Sequence, residues 1–406
     1  MRNNPVARSL GRVLRDVGVR AGSRLLLLAP LSGLAQGPSE VQVHGFVSQG
    51  AIKTTDNNYL ADSERGSVEF TEVGINFTNA LTDRLRLGIQ LFAYDLGPLG
   101  NYDARFDWFY LDYRAWDWLG FRAGRTKLPF GLYNETSDID AARVPILLPQ
   151  SMYPVTNRDA LLAQTGGELY GYVPLGPVGE LEYRLYGGTI FLDLGESSLV
   201  DGEVSVPYLI GGRLMWLLPW EGLQLGGSLQ AVRFDFTYIP PPGLLQPAQE
   251  AGLVPADFDG TVDVRVPFLL AVASLEYNAH DLLVAAEYSR WHAELESELP
   301  TLIQPMTITS ERAYVMTSYR IAPWFVPGVY YSLTYPNVKT RSGHQNYQHD
   351  VALTLRYDLT QHWLLKLEGH YMHGTAALAS EMNDGVPPAE LTRDWGLFLA
   401  KTTAYF

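Results

Sequence analysis

The chain has 406 residues, of which 47% are hydrophobic and 12% aromatic, and its formal net charge is −14. This acidic balance argues against nucleic acid as a partner, because phosphate binding needs a basic surface. The chain has no cysteine, so an exported form would depend on hydrogen bonds and packing and not on disulfides. Only 18% of the residues are charged, against about 25% in ordinary soluble domains.

The first 35 residues have the pattern of a secretory signal peptide. An arginine-rich stretch is followed by the apolar run LLLLAPLSGLA at 25–35, and small residues at its end fit cleavage before Gln36. The run is too short for a membrane-spanning helix, which needs about 20 apolar residues, and Pro30 interrupts it. We therefore predict a signal peptide at 1–35 and an exported mature chain at 36–406. An aromatic-rich exported chain without a spanning helix is either a secreted β-protein or an outer-membrane β-barrel.

Alternating hydrophobicity runs through the mature chain. In RLRLGIQLFAY, residues 84–94, Leu85, Leu87, Ile89 and Leu91 are separated by arginine, glycine or glutamine. A period of two predicts a strand with one apolar and one polar face. Sixteen such segments are found, most of them about ten residues long as a bilayer-crossing strand requires, at about 41–51, 67–78, 84–95, 105–115, 120–128, 164–173, 179–190, 207–217, 223–236, 262–277, 282–293, 309–320, 327–336, 348–359, 362–373 and 393–406.

The connections from the second strand onwards alternate between tight turns and long loops. The long loops are 52–66, 96–104, 129–163, 191–206, 237–261, 294–308, 337–347 and 374–392. A barrel inserted from one side of a membrane has short periplasmic turns and long external loops. Tryptophans at the tight turns fit an aromatic girdle at the inner interface, namely Trp116, Trp118, Trp220, Trp324 and Trp363. The sequence thus predicts an all-β fold, a 16-stranded antiparallel up-and-down transmembrane barrel in the bacterial outer membrane.

The C-terminal stretch LFLAKTTAYF ends on Phe406 without a polar tail. A last strand that pairs with the first leaves no room for a tail, because an open edge in lipid would expose unpaired backbone groups. The stretch resembles the C-terminal targeting strand of bacterial outer-membrane proteins, although Ala404 stands where those proteins usually carry an aromatic residue. The resemblance implies the barrel-assembly machinery and outer-membrane lipid as partners.

Loop 129–163 is the longest connection and contains apolar residues such as Ile146, Leu147 and Met152. A long ordered loop in a compact domain is usually functional. It is the third long loop, and in sixteen-stranded porins the third external loop folds into the lumen and narrows it. The stretch FRAGRTKLPFGLYNE at 121–135 resembles the opening of this loop in the phosphate-selective porin O and P family. The resemblance implies a trimeric anion channel whose lumen carries ladders of arginine and lysine.

Parity along the strands places charged residues on the face opposite the apolar one. The cationic candidates for the lumen wall are Arg84, Arg86, Arg184, Arg213, Arg312, Arg320, Arg356, Lys366 and Lys401. Acidic residues share this face, among them Glu276, Glu287 and Glu368, and a wall of mixed sign favours weak selectivity over a phosphate-specific ladder. The candidates for the pore constriction are Arg125, Lys127, Glu135, Asp138, Asp140, Arg143, Arg158 and Asp159. The alternative is that these charges solvate the mouth or brace the loop against the wall.

The sequence carries no GxSxG, HExxH or phosphate-cradling glycine motif. His370 and His373 lie three apart on a strand and so point to opposite faces, which prevents them from sharing a metal. We therefore expect a passive diffusion channel for small hydrophilic solutes and ions, with no catalytic residue, cofactor or metal. The alternatives are a porin selective for phosphate or another oxyanion, a barrel lipid hydrolase, and a secreted polysaccharide-binding β-protein. For the hydrolase, Ser289 and Ser318 are available, but nothing in the sequence nominates either as the nucleophile.

Overall fold

The computed structural model describes residues 40–192, 200–255, 258 and 260–406. The predicted signal peptide lies outside the described residues. Within these ranges, sixteen antiparallel strands pair in sequence order, and β1 pairs with β16 to close a barrel. The strands are β1 Gln42–Thr54, β2 Phe70–Ala80, β3 Leu85–Leu96, β4 Arg105–Trp116, β5 Leu119–Lys127, β6 Ala163–Pro174, β7 Glu180–Thr189, β8 Val200–Leu217, β9 Leu223–Tyr238, β10 Val262–Ala279, β11 Leu282–Ser297, β12 Met306–Tyr319, β13 Phe325–Tyr335, β14 Gln348–Thr360, β15 Trp363–Gly374 and β16 Asp394–Tyr405.

The described helices lie in the connections between strands. The α-helices are α1 at Arg158–Leu161 and α2 at Pro242–Glu250. Short 3-10 helices occur at Asn134–Thr136, Asp140–Ala142, Val155–Asn157, Gly176–Val178, His344–Asn346 and Ser380–Met382. In the part of the chain that the structure describes, no helix is long and apolar enough to cross a membrane.

The predicted number and order of strands are confirmed. The largest differences in the bounds lie at the long-loop ends of the central strands: β8 begins at Val200, earlier than predicted, and β11 ends at Ser297, later than predicted. Near the end of β11 the outward side chains Glu294 and Glu296 are charged, which breaks the apolar alternation that identifies a strand. The backbone ladder nevertheless continues past both residues, because backbone pairing does not depend on an apolar outer face.

The C-terminus closes the barrel. Tyr405 lies opposite Phe46 in the β1–β16 ladder, and beyond it the N–H of Phe406 donates to the carbonyl of Gly45 at 3.0 Å. A Cβ atom at Gly45 would lie 2.7 Å from Cζ of Phe406, so the terminal ring occupies the space that a side chain would need. The last residue is therefore part of the closing seam.

The two faces of the barrel differ in chemistry. Outward side chains in the middle of the strands are mostly apolar and exposed, as at Leu229 (54%), Leu353 (56%) and Phe398 (54%). The tryptophans at the short turns are also exposed, and the rings of Trp116 and Trp118 stack with centroids 5.3 Å apart. An apolar band of this extent is stable in lipid and would aggregate in water. The predicted outer-membrane barrel is confirmed, and the alternative of a secreted soluble β-protein is wrong.

Candidate channel constriction

The connection between β5 and β6, residues 128–162, contacts strands around most of the barrel; we call it the β5–β6 segment. It is hydrogen-bonded or ion-paired to groups on β3, β4 and every strand from β7 to β16. Its apolar side chains, including Phe130 and Met152, pack in one buried cluster with inward-facing wall residues such as Leu270 and Met316. The predicted constriction residues lie in this segment or directly beside it.

Glu135 forms one anchor of the segment. Its carboxylate lies 3.2 Å from Arg184 on β7 and 3.1 Å from Arg213 on β8. Burial by itself would raise the pKa of Glu135, but the two guanidiniums outweigh burial and lower the pKa to about 2. Glu135 is therefore ionised at neutral pH and holds the segment to two strands through charge-assisted bonds.

Asp138 forms a second anchor beside the end of β5. Lys127 donates to its carboxylate, and Gln90 on β3 donates to it at 3.0 Å. Burial by itself would raise the pKa of Asp138, but the charges of Lys127 and Arg158 and the hydrogen bonds to Asp138 together outweigh burial and lower the pKa. Arg158, on α1, lies 2.5 Å from Asp107 of β4, so the end of the segment is held to the same side of the barrel.

Asp140 lies in a fully buried cationic pocket. Its Oδ1 is 2.9 Å from Nζ of Lys366 and 3.6 Å from Nζ of Lys401, and all three side chains are 0% exposed. The hydroxyl of Thr403 donates to Oδ2 at 2.8 Å. Burial by itself would raise the pKa of Asp140, but the two lysines outweigh burial and lower the pKa. Asp140 is the carboxylate that pairs with Lys366 among the described residues, whereas Lys401 also contacts Glu72 at 2.6 Å, so removing Asp140 would leave Lys366 as an uncompensated buried charge.

Further anchors use backbone N–H groups of the segment. Glu368 on β15 accepts hydrogen bonds from Ile146 at 2.7 Å and from Leu147 at 2.9 Å. Glu287 on β11 accepts one from Leu132 at 2.9 Å. Parity predicts that both glutamates face the lumen, but it gives no signal for these bonds, because the partners are 155 to 222 residues apart in the chain.

Two cavities of about 70 Å³ each adjoin the segment. The first has Phe70 of β2 and Phe92 of β3 in its wall, and the second has Arg356 of β14. Arg143 and Leu148 of the segment line both cavities. Arg143 lies 3.8 Å from Asp140, and its buried Nε has no hydrogen-bond partner among the described residues. The guanidinium of Arg143 therefore borders both cavities.

The other predicted site residues lie in different surroundings. Asp159 is 40% exposed and pairs with Arg105 at 3.1 Å, while Arg125 donates to the Asp107 carbonyl at 3.1 Å. Arg84 lies in the exposed turn before β3. The inward-facing wall contains Arg86, Arg184, Arg213, Arg312, Arg356, Lys366 and Lys401, and Arg320 directly follows β12. Which of these charges line the path of a solute stays a prediction.

The comparisons with known proteins rest on three-dimensional structure. No family model and no curated protein matches the sequence. Outer-membrane expressed OmpT of Vibrio cholerae has a TM-score of 0.57 at 13% identity, covering 92% of this chain and 99% of that one. An anion-selective porin from Comamonas acidovorans gives 0.54 at 14% identity, covering 91% and 100%. The outer membrane channel DcaP of Acinetobacter baumannii gives 0.51 at 13% identity, covering 93% and 100%.

The chain has the fold of an outer-membrane porin. At identities of 13% to 14% over nearly the full length, these similarities show a shared fold and not a shared function. The Vibrio OmpT has also been solved in a trimer form, with a TM-score of 0.52 to this chain. Because no family model matches, the resemblance to the phosphate-selective porin O and P family stays a prediction.

Proposed function

We propose that this barrel is a passive diffusion channel for small hydrophilic solutes and ions, with the β5–β6 segment lying across its lumen as the constriction. The observation that supports this proposal is the set of contacts made by the segment. A single connection that reaches groups on β3, β4 and every strand from β7 to β16 is best accommodated inside the barrel. Solutes crossing a polar lumen lose little hydration, so width and wall charge decide what passes.

Arg143 is our candidate for the narrowest point. It lines both cavities beside the segment, and each of these offers only about 70 Å³. A solute that moves from one cavity into the other would pass between Arg143, Leu148 and the facing wall. The cationic side chain would act there as both a steric and an electrostatic filter.

We propose weak selectivity and not a phosphate-specific path. Arg184 and Arg213 are paired with Glu135, and Lys366 is paired with Asp140. Cations that are neutralised by nearby carboxylates contribute little to the net field that steers an anion. A porin selective for phosphate or another oxyanion would need a continuous row of cations without such partners.

The test is the single-channel current of the purified, folded protein in a planar bilayer with a salt gradient. The proposal expects steady stepwise conductance and a small reversal potential. A strongly anion-selective reversal potential, together with block of the current by phosphate, would contradict the proposal of general diffusion and support an oxyanion-selective porin. Folded protein that conducts no current would contradict the channel itself.

The proposal assigns no chemical reaction to the barrel. Ser289 is 0% exposed and Ser318 is 6% exposed, and among the described residues neither hydroxyl is hydrogen-bonded to a histidine. A lipid hydrolase needs a serine that is oriented by such a base and reached by substrate. Release of fatty acid from phospholipid by folded protein, but not by the Ser289→Ala or Ser318→Ala variant, would contradict this part of the proposal.

We also propose that the barrel forms trimers and is assembled through its C-terminal strand. The trimer form of the Vibrio protein with the same fold supports the first point. The position of Phe406 in the closing seam, where its N–H donates to Gly45 at 3.0 Å, supports the second. The mass of the protein in detergent, measured by light scattering with the detergent contribution subtracted, distinguishes a trimer from a monomer.

A further inference from the structure

The inward face of the barrel is apolar at the long-loop ends of β9, β10 and β11. Phe234 of β9 lies opposite Val266 of β10 in the ladder. Two residues further along β10, the ring of Phe268 contacts the ring of Trp291 of β11 edge-on, with ring centroids 5.7 Å apart. Phe234, Val266 and Phe268 are only partly buried, so part of their surface remains open. Apolar surface of this kind is unusual in the polar interior of a porin barrel.

A cation without a carboxylate partner borders this apolar wall. The guanidinium of Arg312 stacks on Trp291, with Cζ 3.4 Å from the ring centroid. Its described hydrogen bonds go to neutral groups, the carbonyl of Ser151 at 3.1 Å and the hydroxyl of Ser310 at 3.3 Å. In the described part of the chain Arg312 forms no ion pair, and Glu287 on the neighbouring strand accepts its hydrogen bonds from other groups.

Two buried groups beside Arg312 also lack hydrogen-bond partners. Nε1 of Trp291 and Oγ of Ser289 are both without a partner among the described residues, and the two residues are 7% and 0% exposed. Ser289 lies directly opposite Arg312 in the β11–β12 ladder. An indole N–H can only donate, and leaving a buried donor unsatisfied is costly. The missing partner is therefore an acceptor, and the neighbouring guanidinium favours an anionic one.

We infer that this corner of the lumen, formed by Phe234, Phe268, Ser289, Trp291 and Arg312, binds a small organic anion with an apolar ring, of the aromatic carboxylate class. The ring would lie against the phenylalanines, and the carboxylate would accept hydrogen bonds from Arg312 and from Nε1 of Trp291. A strongly hydrated ion such as phosphate would lose water against this apolar wall without compensation. The inference rests on the proposed function and deepens it by naming a class of solute.

The experiment measures binding without any current. Benzoate is titrated onto the folded full-length barrel in detergent, and binding is followed by saturation-transfer difference NMR. Acetate carries the charge without the ring, and benzyl alcohol carries the ring without the charge. We expect benzoate to bind about tenfold more tightly than either control, because only benzoate uses both the apolar wall and the cation.

Three variants locate the site. Arg312→Gln is expected to weaken benzoate binding about tenfold, through loss of the charge-assisted bond. Trp291→Phe keeps a ring but removes Nε1–H, and is expected to weaken it about threefold. Arg265→Gln is the matched control, since this exposed arginine on β10 points outward, and it should bind benzoate like the unchanged protein. Heat-modifiable migration on gels verifies that each variant is folded.

The outcomes separate the site from the channel. Equal binding of benzoate and acetate, or equal binding by folded Arg312→Gln and Arg265→Gln, would overturn the site while leaving the channel untouched. If Arg312→Gln does not fold, unchanged binding by Trp291→Phe overturns the site instead. Conversely, a folded barrel that binds benzoate but conducts no current would defeat the proposed function and leave the site standing.

Discussion

Two regions of the inner wall show how the same barrel treats buried polar groups differently. Around Asp140 every charge has a partner, and the lysines beside it are fully buried. Around Arg312 the donors have neutral partners or none within the described residues. Where every buried charge is paired, removing one partner costs much free energy, so the pairing holds the β5–β6 segment in place. Where donors lack a charged partner, they can still bind a ligand. The first region is therefore an anchor of the fold and the second a candidate binding surface.

Among single substitutions in the anchored region, we expect Asp140→Asn to cause the largest loss of stability. The change keeps the size of the side chain but leaves the buried Lys366 without a carboxylate partner among the described residues, while Lys401 keeps its contact with Glu72 at 2.6 Å. The expected loss of stability is about 3–5 kcal/mol, read as a lower temperature for the loss of heat-modifiable migration. Tryptic cleavage within the β5–β6 segment, for example after Arg143, should also become faster. Asp159→Asn is the control, since this carboxylate is 40% exposed and its loss should cost less than about 1 kcal/mol.

Acid should release the segment within a defined pH window. The pKa of Glu135 is lowered from 4.5 to about 2 in the folded protein, so its contribution to stability is fully present above pH 4.5 and is lost as the pH falls towards 2. This contribution is about 3 kcal/mol. Amide hydrogen–deuterium exchange of the segment, corrected for the pH dependence of the intrinsic exchange rate, should show constant protection from neutral pH down to about 4.5 and declining protection below it. In the Glu135→Gln variant, the part of this decline that is due to protonation of Glu135 should be absent. Protection that already falls near pH 6 in the unchanged protein would contradict the assignment of the decline to Glu135.

Arg143→Ala tests the boundary between the two cavities. Loss of the guanidinium should widen the two cavities that Arg143 lines and raise the single-channel conductance about twofold, because the narrowest cross-section limits the current. The outward-facing Arg265→Ala variant loses the same charge and should leave the conductance unchanged. Equal conductance of the two variants would move the narrowest point away from Arg143.

Phe406→Ala should have the smallest effect on stability. The ring is 65% exposed, and its removal leaves the β1–β16 backbone ladder intact. We expect a loss of less than about 1 kcal/mol in the unfolding free energy of protein refolded in detergent. Delivery to the outer membrane in cells should fall more clearly, because the terminal aromatic residue is the predicted signal for assembly. A large loss of stability in detergent would assign Phe406 a structural role instead.

The outer face and the strand order could be predicted from the sequence because both depend on local alternation. In β3, Leu87, Ile89 and Leu91 point outward as their spacing requires. The partners of the β5–β6 segment could not be predicted, since they depend on closure of the barrel. Glu368 meets Ile146 only because strands β5 and β15 belong to one ring, with 222 residues between the two partners.

The apolar inner corner did leave a signal in the sequence. In VRVPFLLAV, residues 264–272, the inward positions Val266, Phe268 and Leu270 are as apolar as the outward Leu269. A strand between lipid and a polar lumen should alternate, so two apolar faces indicate that the inner one meets something other than water. What it faces could not be read from the strand alone, because Arg312 and Trp291 lie on other strands.

The position of the β5–β6 segment is the central claim, and a cysteine pair tests it most directly in a chain that has no cysteine. Oγ of Ser332 on β13 donates to Oγ of Ser151 in the segment at 2.8 Å. The double variant Ser151→Cys, Ser332→Cys should therefore form a disulfide on mild oxidation of the folded barrel, detected by mass spectrometry, whereas the control pair Ser137→Cys, Ser332→Cys should not. The account predicts this crosslink together with an unchanged single-channel conductance before and after reduction. A folded, conducting barrel in which the first pair stays reduced would contradict it.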